Sequence, residues 1–237
     1  MCNNACIDFA RKNIAKVEIE GKSLIEVGSL NVNGSLRPVI EIMRPAKYIG
    51  VDLTFGPGVE VICRAEDLIS SFGIKSFDVV IATELLEHVK DWRGVVSNIK
   101  QVLKPGGILL VTTRSRGAEY HGYPFDFWRY EISDMEEIFS EFQIDRIESD
   151  PLVPGVFMKA VKKNPFVEHD TLEMKLFSIL KGRRVKHLPW VSFLFIRTLR
   201  GLRPYLVWML PLYVRSVLKR VFRAKDAPTF LRALIGG

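Results

Sequence analysis

Five acidic positions are the first candidates for chemistry: Glu26, Asp52, the pair Glu66 and Asp67, and Glu84. Each closes or follows an apolar run, and Asp52 lies 26 residues after Glu26, the length of one β-α-β unit. A carboxylate at such a position can accept two O–H bonds from the vicinal hydroxyls of a ribose. Gly28, with Ser29 beside it, lets a ligand approach the backbone closely. The loop itself reads GSLNVNG. It is neither G-x-G-x-x-G nor a Walker A loop, and it lacks a lysine. Acids around one crevice repel a pyrophosphate and welcome a cation without phosphate, and a nucleoside sulfonium meets both conditions.

A second set could act on an acceptor. His88 stands in LLEHV, and His121 and Asp126 stand in EYHGYPFDFWRY (119–130), among aromatic rings and Arg129. An imidazole or carboxylate can take a proton from a hydroxyl, and rings can stack on a substrate. We take His121, Asp126 and His88 as the candidate catalytic residues. The competing readings are a structural His88 and an aromatic loop that only packs a lid. Cys2, Cys6 and Cys63 are too few for a disulfide framework. Cys2 and Cys6 have no matching ligand pair, so no metal site is expected.

These residues need a scaffold that gathers strand ends. Strand-like runs at 23–30, 47–54, 59–65, 77–83 and 107–113 alternate with helix-like or turn-rich segments. A helix is predicted over 34–43, with Pro38 in its first turn. Another spans 91–103, capped by Asp91 and stopped by KPGG, and a third spans 131–140, capped by Ser133. FQIDRIES and GVFMKAVKK add two strands. Their DPLVPG connection is too short for a helical crossover, so the last strand should run antiparallel. Such alternation means a parallel α/β sheet covered on both faces, with ligands beyond the carboxyl ends of its strands.

Charge is unevenly spread. Residues 1–158 hold 17 Lys+Arg against 23 Asp+Glu, net −6, and residues 159–237 hold 17 against 4, net +13. The segments 188–196 and 204–214 are aromatic and aliphatic, bordered by arginines and lysines up to Arg223, and too short to span a bilayer. From about residue 166 the reading is a helical extension split by Pro189, Pro204 and Pro211. Residues 188–223 could lie on an anionic membrane surface, form a cap or homodimer interface, or, less fittingly for so aliphatic a tail, meet nucleic acid. The N-terminus has no basic start followed by a long apolar run, so no signal peptide is read and a cytoplasmic location, including the inner face of the membrane, is expected.

The order and spacing of EVGSLNVNG, YIGVDLT, CRAEDL, FDVVIATELLEHV and VLKPGGILLVTTR, over about residues 20–163, resemble the class I S-adenosylmethionine-dependent methyltransferases, in the small-molecule group often called type 11. The resemblance implies a Rossmann-like, doubly wound, seven-stranded sheet with an antiparallel last strand. Residues 1–165 would form that domain and 166–237 a basic, apolar helical extension. It implies S-adenosyl-L-methionine as cofactor, with Glu26 near its amino-acid moiety, Asp52 on the ribose hydroxyls and Asp67 facing the adenine amine. Gly28, Ser29, Leu53, Glu66, Thr83 and Glu84 would line the same pocket. Leu30 departs from the pattern, because the family often has a second glycine there. The expected activity is methyl transfer to a small-molecule or saccharide acceptor, including a lipid-linked one, on oxygen. The alternatives are an RNA methyltransferase that uses the basic tail, a nicotinamide oxidoreductase on a similar sheet, and a non-catalytic, membrane-docked binding module.

Overall fold

The structure is a computed structural model, and it describes residues 3–122 and 125–189. In chain order its strands are β1 (Ser23–Val27), β2 (Lys47–Asp52), β3 (Val61–Ile62), β4 (Phe77–Thr83), β5 (Leu103–Arg114), β6 (Trp128–Arg129), β7 (Phe142–Ser149) and β8 (Gly155–Lys162). Seven of them form one sheet in the order β3-β2-β1-β4-β5-β8-β7. The pairs from β3 to β5 are parallel, and β8 runs antiparallel to both neighbours, β5 and β7. This is the doubly wound sheet with a reversed last strand that the sequence implied.

Alternation along the strands builds a core on each face. Ile25, Val27, Val80, Ala82, Leu109 and Val111 join one cluster, and Leu24, Val79, Ile81, Ile108 and Leu110 the other. A fully buried side chain of this kind is worth about 1.5–3 kcal/mol. Helix α5 (Trp92–Val102) covers the first face with Trp92, Val95, Val96, Ile99 and Val102, a helical spacing. Asp91 caps it by accepting from Gly94 N at 3.2 Å, as its sequence position predicts.

The second face is covered by α1 (Asn4–Asn13), an element the sequence reading lacked. Asn3 caps this helix by accepting from Cys6 N at 2.9 Å. Ala5, Cys6, Phe9 and Ala10 are buried, and Phe9 meets Phe157 at 5.4 Å between ring centres. Helix α2 (Lys16–Ile19) follows, and α3 (Arg37–Glu41) is shorter than expected, with Pro38 in its first turn. After α4 (Leu68–Phe72) and α5 comes α6 (Ile132–Ile138), whose cap is Glu131 rather than Ser133. The Asp134 carboxylate reaches back to Glu131 N at 2.9 Å and sets the entry two residues earlier.

Residues 166–189 differ from the expected helical extension. They carry β9 (Leu176–Ser178) and β10 (Arg183–Val185), which form a second, antiparallel sheet in the order β10-β9-β6. Met174, Leu176, Ile179, Leu180 and Leu188 belong to the same buried cluster as α5. Arg93 on α5 fastens the segment by donating to the carbonyls of Thr171 (2.9 Å), Met174 (2.5 Å) and Lys186 (2.9 Å). Three of the segment's carbonyls are thereby satisfied without a helix. The apolar, basic runs from residue 190 onward lie outside the described residues. Among the described residues no helix is long and apolar enough to cross a membrane.

Candidate functional site

The sheet order sets the carboxyl ends of β1, β2 and β4 side by side, with Glu26 in register with Gly50 and Ile81. Glu26 is 2% exposed, and its Oε2 accepts from Tyr48 Oη at 2.7 Å. Burial pushes its carboxyl from the ordinary 4.5 up to about 7, against the lowering effect of Tyr48 and Arg37. Arg37 stacks on the Tyr48 ring at 4.2 Å and grips Glu60 through two hydrogen bonds of 2.9 and 2.7 Å. Glu60 in turn accepts from Gly50 N at 2.6 Å. The acid at the end of β1 is therefore the buried end of a polar relay across two strands.

The loops above it are interlocked. Gly28 has φ +79°, a left-handed conformation that glycine adopts without cost, and a Cβ there would meet Leu85 Cδ1 at 3.1 Å. Gly28 N and Ser29 N both donate to Val51 O, at 2.9 and 3.1 Å. Asn31 N donates to Pro57 O at 2.9 Å. Asp52 ties the two loops, accepting from Leu30 N at 3.2 Å and from Leu53 N at 2.7 Å. Leu53 is exposed. Ser29 is buried, and its Oγ has no hydrogen-bond partner. Glu66 and Asp67 sit on a 3-10 turn over residues 65–67, where both face Arg64, at 3.4 and 4.0 Å. They follow β3, one strand further out in the sheet than β2.

A denser cluster lies beyond β4 and β5. Thr83 and Glu84 are both buried, and Glu84 has φ +52°. Glu84 pairs with Arg114 and accepts from Thr112 Oγ1 at 2.8 Å. Arg114 also holds Asp150 at 2.9 Å, and Asp150 accepts from Asn3 Nδ2 at 3.2 Å, so α1 is latched to the site. Burial and the neighbouring Glu87 push Glu84 up, whereas His121 and His88 hold the Glu87 carboxyl down against its own burial. The rings of His88 and His121, 33 residues apart in sequence, meet edge to face with centres 4.9 Å apart. Burial would lower the His121 pKa, but the nearby carboxylates of Asp126 and Glu87 outweigh it and push it up to about 10. Glu84, Arg114, Glu119, His121 and Pro154 line a cavity of about 480 Å³.

Asp126 is not open to an acceptor. It is fully buried, and Arg129 holds its two oxygens at 2.5 and 2.7 Å, with His121 N also donating at 3.0 Å. The arginine holds its carboxyl below the usual carboxylate range despite burial. Both of its oxygens are taken up by Arg129 and one also by His121 N, so the sequence expectation of Asp126 as a base is not matched by an accessible carboxylate. The sequence reading missed Tyr48, Glu87, Arg114 and Asp150. The signal for Glu87 was the ELLEH spacing, which puts two acids and a histidine on one turn after a buried strand.

Fold and strand-end loops together define a Rossmann-like methyltransferase. A family profile described as a methyltransferase domain matches residues 5–149, and the chain belongs to that family, whose cofactor is S-adenosylmethionine. The ubiquinone biosynthesis O-methyltransferase of Idiomarina loihiensis is 30% identical over 112 residues, covering 42% of this chain and 45% of that protein. The phthiotriol/phenolphthiotriol dimycocerosates methyltransferase 1 of Mycobacterium ulcerans is 30% identical over 122 residues, covering 46% and 44%. The chain spans about half the length of these curated relatives. Among solved structures, the 1,6-didemethyltoxoflavin-N1-methyltransferase of Burkholderia thailandensis, with its acceptor and S-adenosylhomocysteine bound, superimposes with a TM-score of 0.54 over 68% of this chain and 80% of that one. At 14% identity this likeness speaks for the fold alone.

Proposed function

We propose that this chain transfers a methyl group from S-adenosylmethionine to a hydroxyl of a small-molecule or saccharide acceptor. The observation that carries the reading is the cavity of about 480 Å³ beyond β4 and β5, next to the interlocked loops of β1 and β2. The loops suit the cofactor. Ser29 Oγ is buried without a partner, and the strand-end residues Glu26, Asp52 and Glu84 are acidic rather than basic. Glu26, Gly28, Ser29 and Asp52 would hold the amino-acid and ribose parts, with Leu53, Glu66 and Asp67 towards the base and Thr83 and Glu84 towards the methyl group. When bound, the cofactor supplies an electrophilic methyl on a sulfonium, which an oxygen lone pair displaces as the C–S electrons stay on sulfur.

The chain's own part is alignment and exclusion of water. Arg129 fixes Asp126, Asp126 fixes His121, and His121 faces the cavity. Oxygen as the target is supported by the O-methyltransferase among the relatives. Residues 190–237, with 9 Lys+Arg against 1 Asp+Glu, net +8, fit docking on an anionic membrane from the cytoplasmic side, where a lipid-linked acceptor would be within reach. A labelled-methyl transfer assay on fractionated cell extract tests the acceptor. Label in a small-molecule or lipid fraction is the expected result, and label confined to tRNA would refute it.

A further inference from the structure

We propose that Glu87, His88 and His121 form a binding site for one divalent transition-metal ion. Their ligand atoms, one carboxylate oxygen and two ring nitrogens, all lie within 4.8 Å of one another. Glu87 Oε1 lies 4.0 Å from His88 Nε2 and 3.6 Å from His121 Nε2. These gaps are long for hydrogen bonds. Bonds of about 2.1 Å to a shared ion place neighbouring ligand atoms about 3–4 Å apart.

Three independent features point at the same spot. Glu87 is completely buried, yet its Oε1 has no hydrogen-bond partner, while Oε2 is held by Thr113 Oγ1 at 2.9 Å. A buried carboxylate oxygen left bare is costly unless something else satisfies it. His88 places Nδ1 2.6 Å from Phe125 O, so that nitrogen carries the proton and Nε2 presents a lone pair to Glu87. His121 has Nδ1 3.1 Å from Glu119 O and 3.2 Å from Asp126 Oδ2, and an ion bound at Nε2 would displace the proton that the neighbouring acids otherwise keep there. A carbonyl or carboxylate behind each imidazole is the outer arrangement that metal-binding histidines use to fix ring and tautomer. Arg129 steadies Asp126 from behind.

Two imidazoles and one carboxylate favour a first-row ion such as Mn²⁺, Co²⁺ or Zn²⁺ over Mg²⁺ or Ca²⁺. Three protein ligands leave positions open on the side of the cavity that His121 lines. An acceptor hydroxyl bound there would be held as its conjugate base, its proton passing to solvent. That role, though not the binding itself, rests on the proposed methyl transfer.

The test is titration of the metal-stripped full-length chain with Co²⁺, followed by visible absorption and calorimetry, with Mg²⁺ as comparison. We expect one Co²⁺ per chain with bands of mixed nitrogen and oxygen ligation. His121→Ala, His88→Ala and Glu87→Gln should each weaken binding by about tenfold or more, while the exposed His169→Ala leaves it unchanged. Melting curves identify folded variants. If the buried Glu87→Gln fails to fold, His121→Ala, at the cavity wall, carries the test. No Co²⁺ uptake by the wild type below about 1 mM, or equal affinity in the histidine variants, would overturn the proposal. S-adenosylhomocysteine binding, read on the same samples, separates the two claims: its absence with Co²⁺ bound would refute methyl transfer while the ion site stood.

Discussion

Glu26→Gln should stabilise the ligand-free protein, and only above a defined pH. In the fold this carboxyl titrates near 7 instead of its ordinary 4.5, with burial as the main cause. Its folded pKa is raised, so the associated stability is fully present below about pH 4.5 and is lost as the pH climbs through about 7. The unfolded chain ionises first, and the folded one must then either stay protonated or bury a charge. A shift of about 2.5 units at 1.36 kcal/mol each gives a loss of about 3 kcal/mol at pH 8. Glutamine is neutral throughout and can still accept from Tyr48 Oη, so it escapes the loss. Thermal melts of both proteins between about pH 5 and 8 measure this. The difference should grow across the range to about 6–12 °C in favour of the variant, for about 2–4 °C per kcal/mol in a chain of this size. The same substitution should weaken S-adenosylhomocysteine binding. Equal melting temperatures at pH 8, or a gap that does not grow with pH, would refute a buried, proton-holding Glu26.

Arg114→Met should destabilise the fold by about 3–5 kcal/mol, because it strands the buried acids Glu84 and Asp150; a melting temperature within error of wild type would contradict this. Truncation after residue 189 keeps β9 and β10 in place, and this variant should stay folded and lose binding to anionic vesicles. Full-length protein should co-sediment with such vesicles at low salt and release at high salt, at about 1 kcal/mol per basic residue near the surface. Equal sedimentation of the two would remove the lipid from the account.

The large sheet was legible because its strands carry their own signals. FDVVIAT over 77–83 is a continuous apolar run that a doubly covered strand requires, and the observed β4 has the same bounds. The reversal of β8 followed from a connection too short to cross over. Helix α1 gave less away. Its buried stripe is Ala5, Cys6, Phe9 and Ala10, weak in pattern and made stable by docking on Phe157. Strands β9 and β10 have three residues each, inside a basic stretch, and only their pairing with each other and of β9 with β6 defines them. In the site, the glycine and the strand-end acids were readable as a series. The meeting of His88 with His121 was not, because it depends on how far β5 carries the chain before the loop turns back. Asp126 and Arg129 stand three residues apart in sequence, but only the fold shows that both are buried with the arginine on both carboxylate oxygens.

Calorimetric titration of the full-length chain with S-adenosylhomocysteine and, separately, with NAD tests the central claim most directly. The account predicts one S-adenosylhomocysteine per chain, no NAD, and an affinity reduced by about tenfold or more, about 1.4 kcal/mol or more, in Asp52→Ala. Tight NAD binding without S-adenosylhomocysteine would contradict the cofactor assignment, and unchanged affinity in Asp52→Ala would take that residue out of the ribose site.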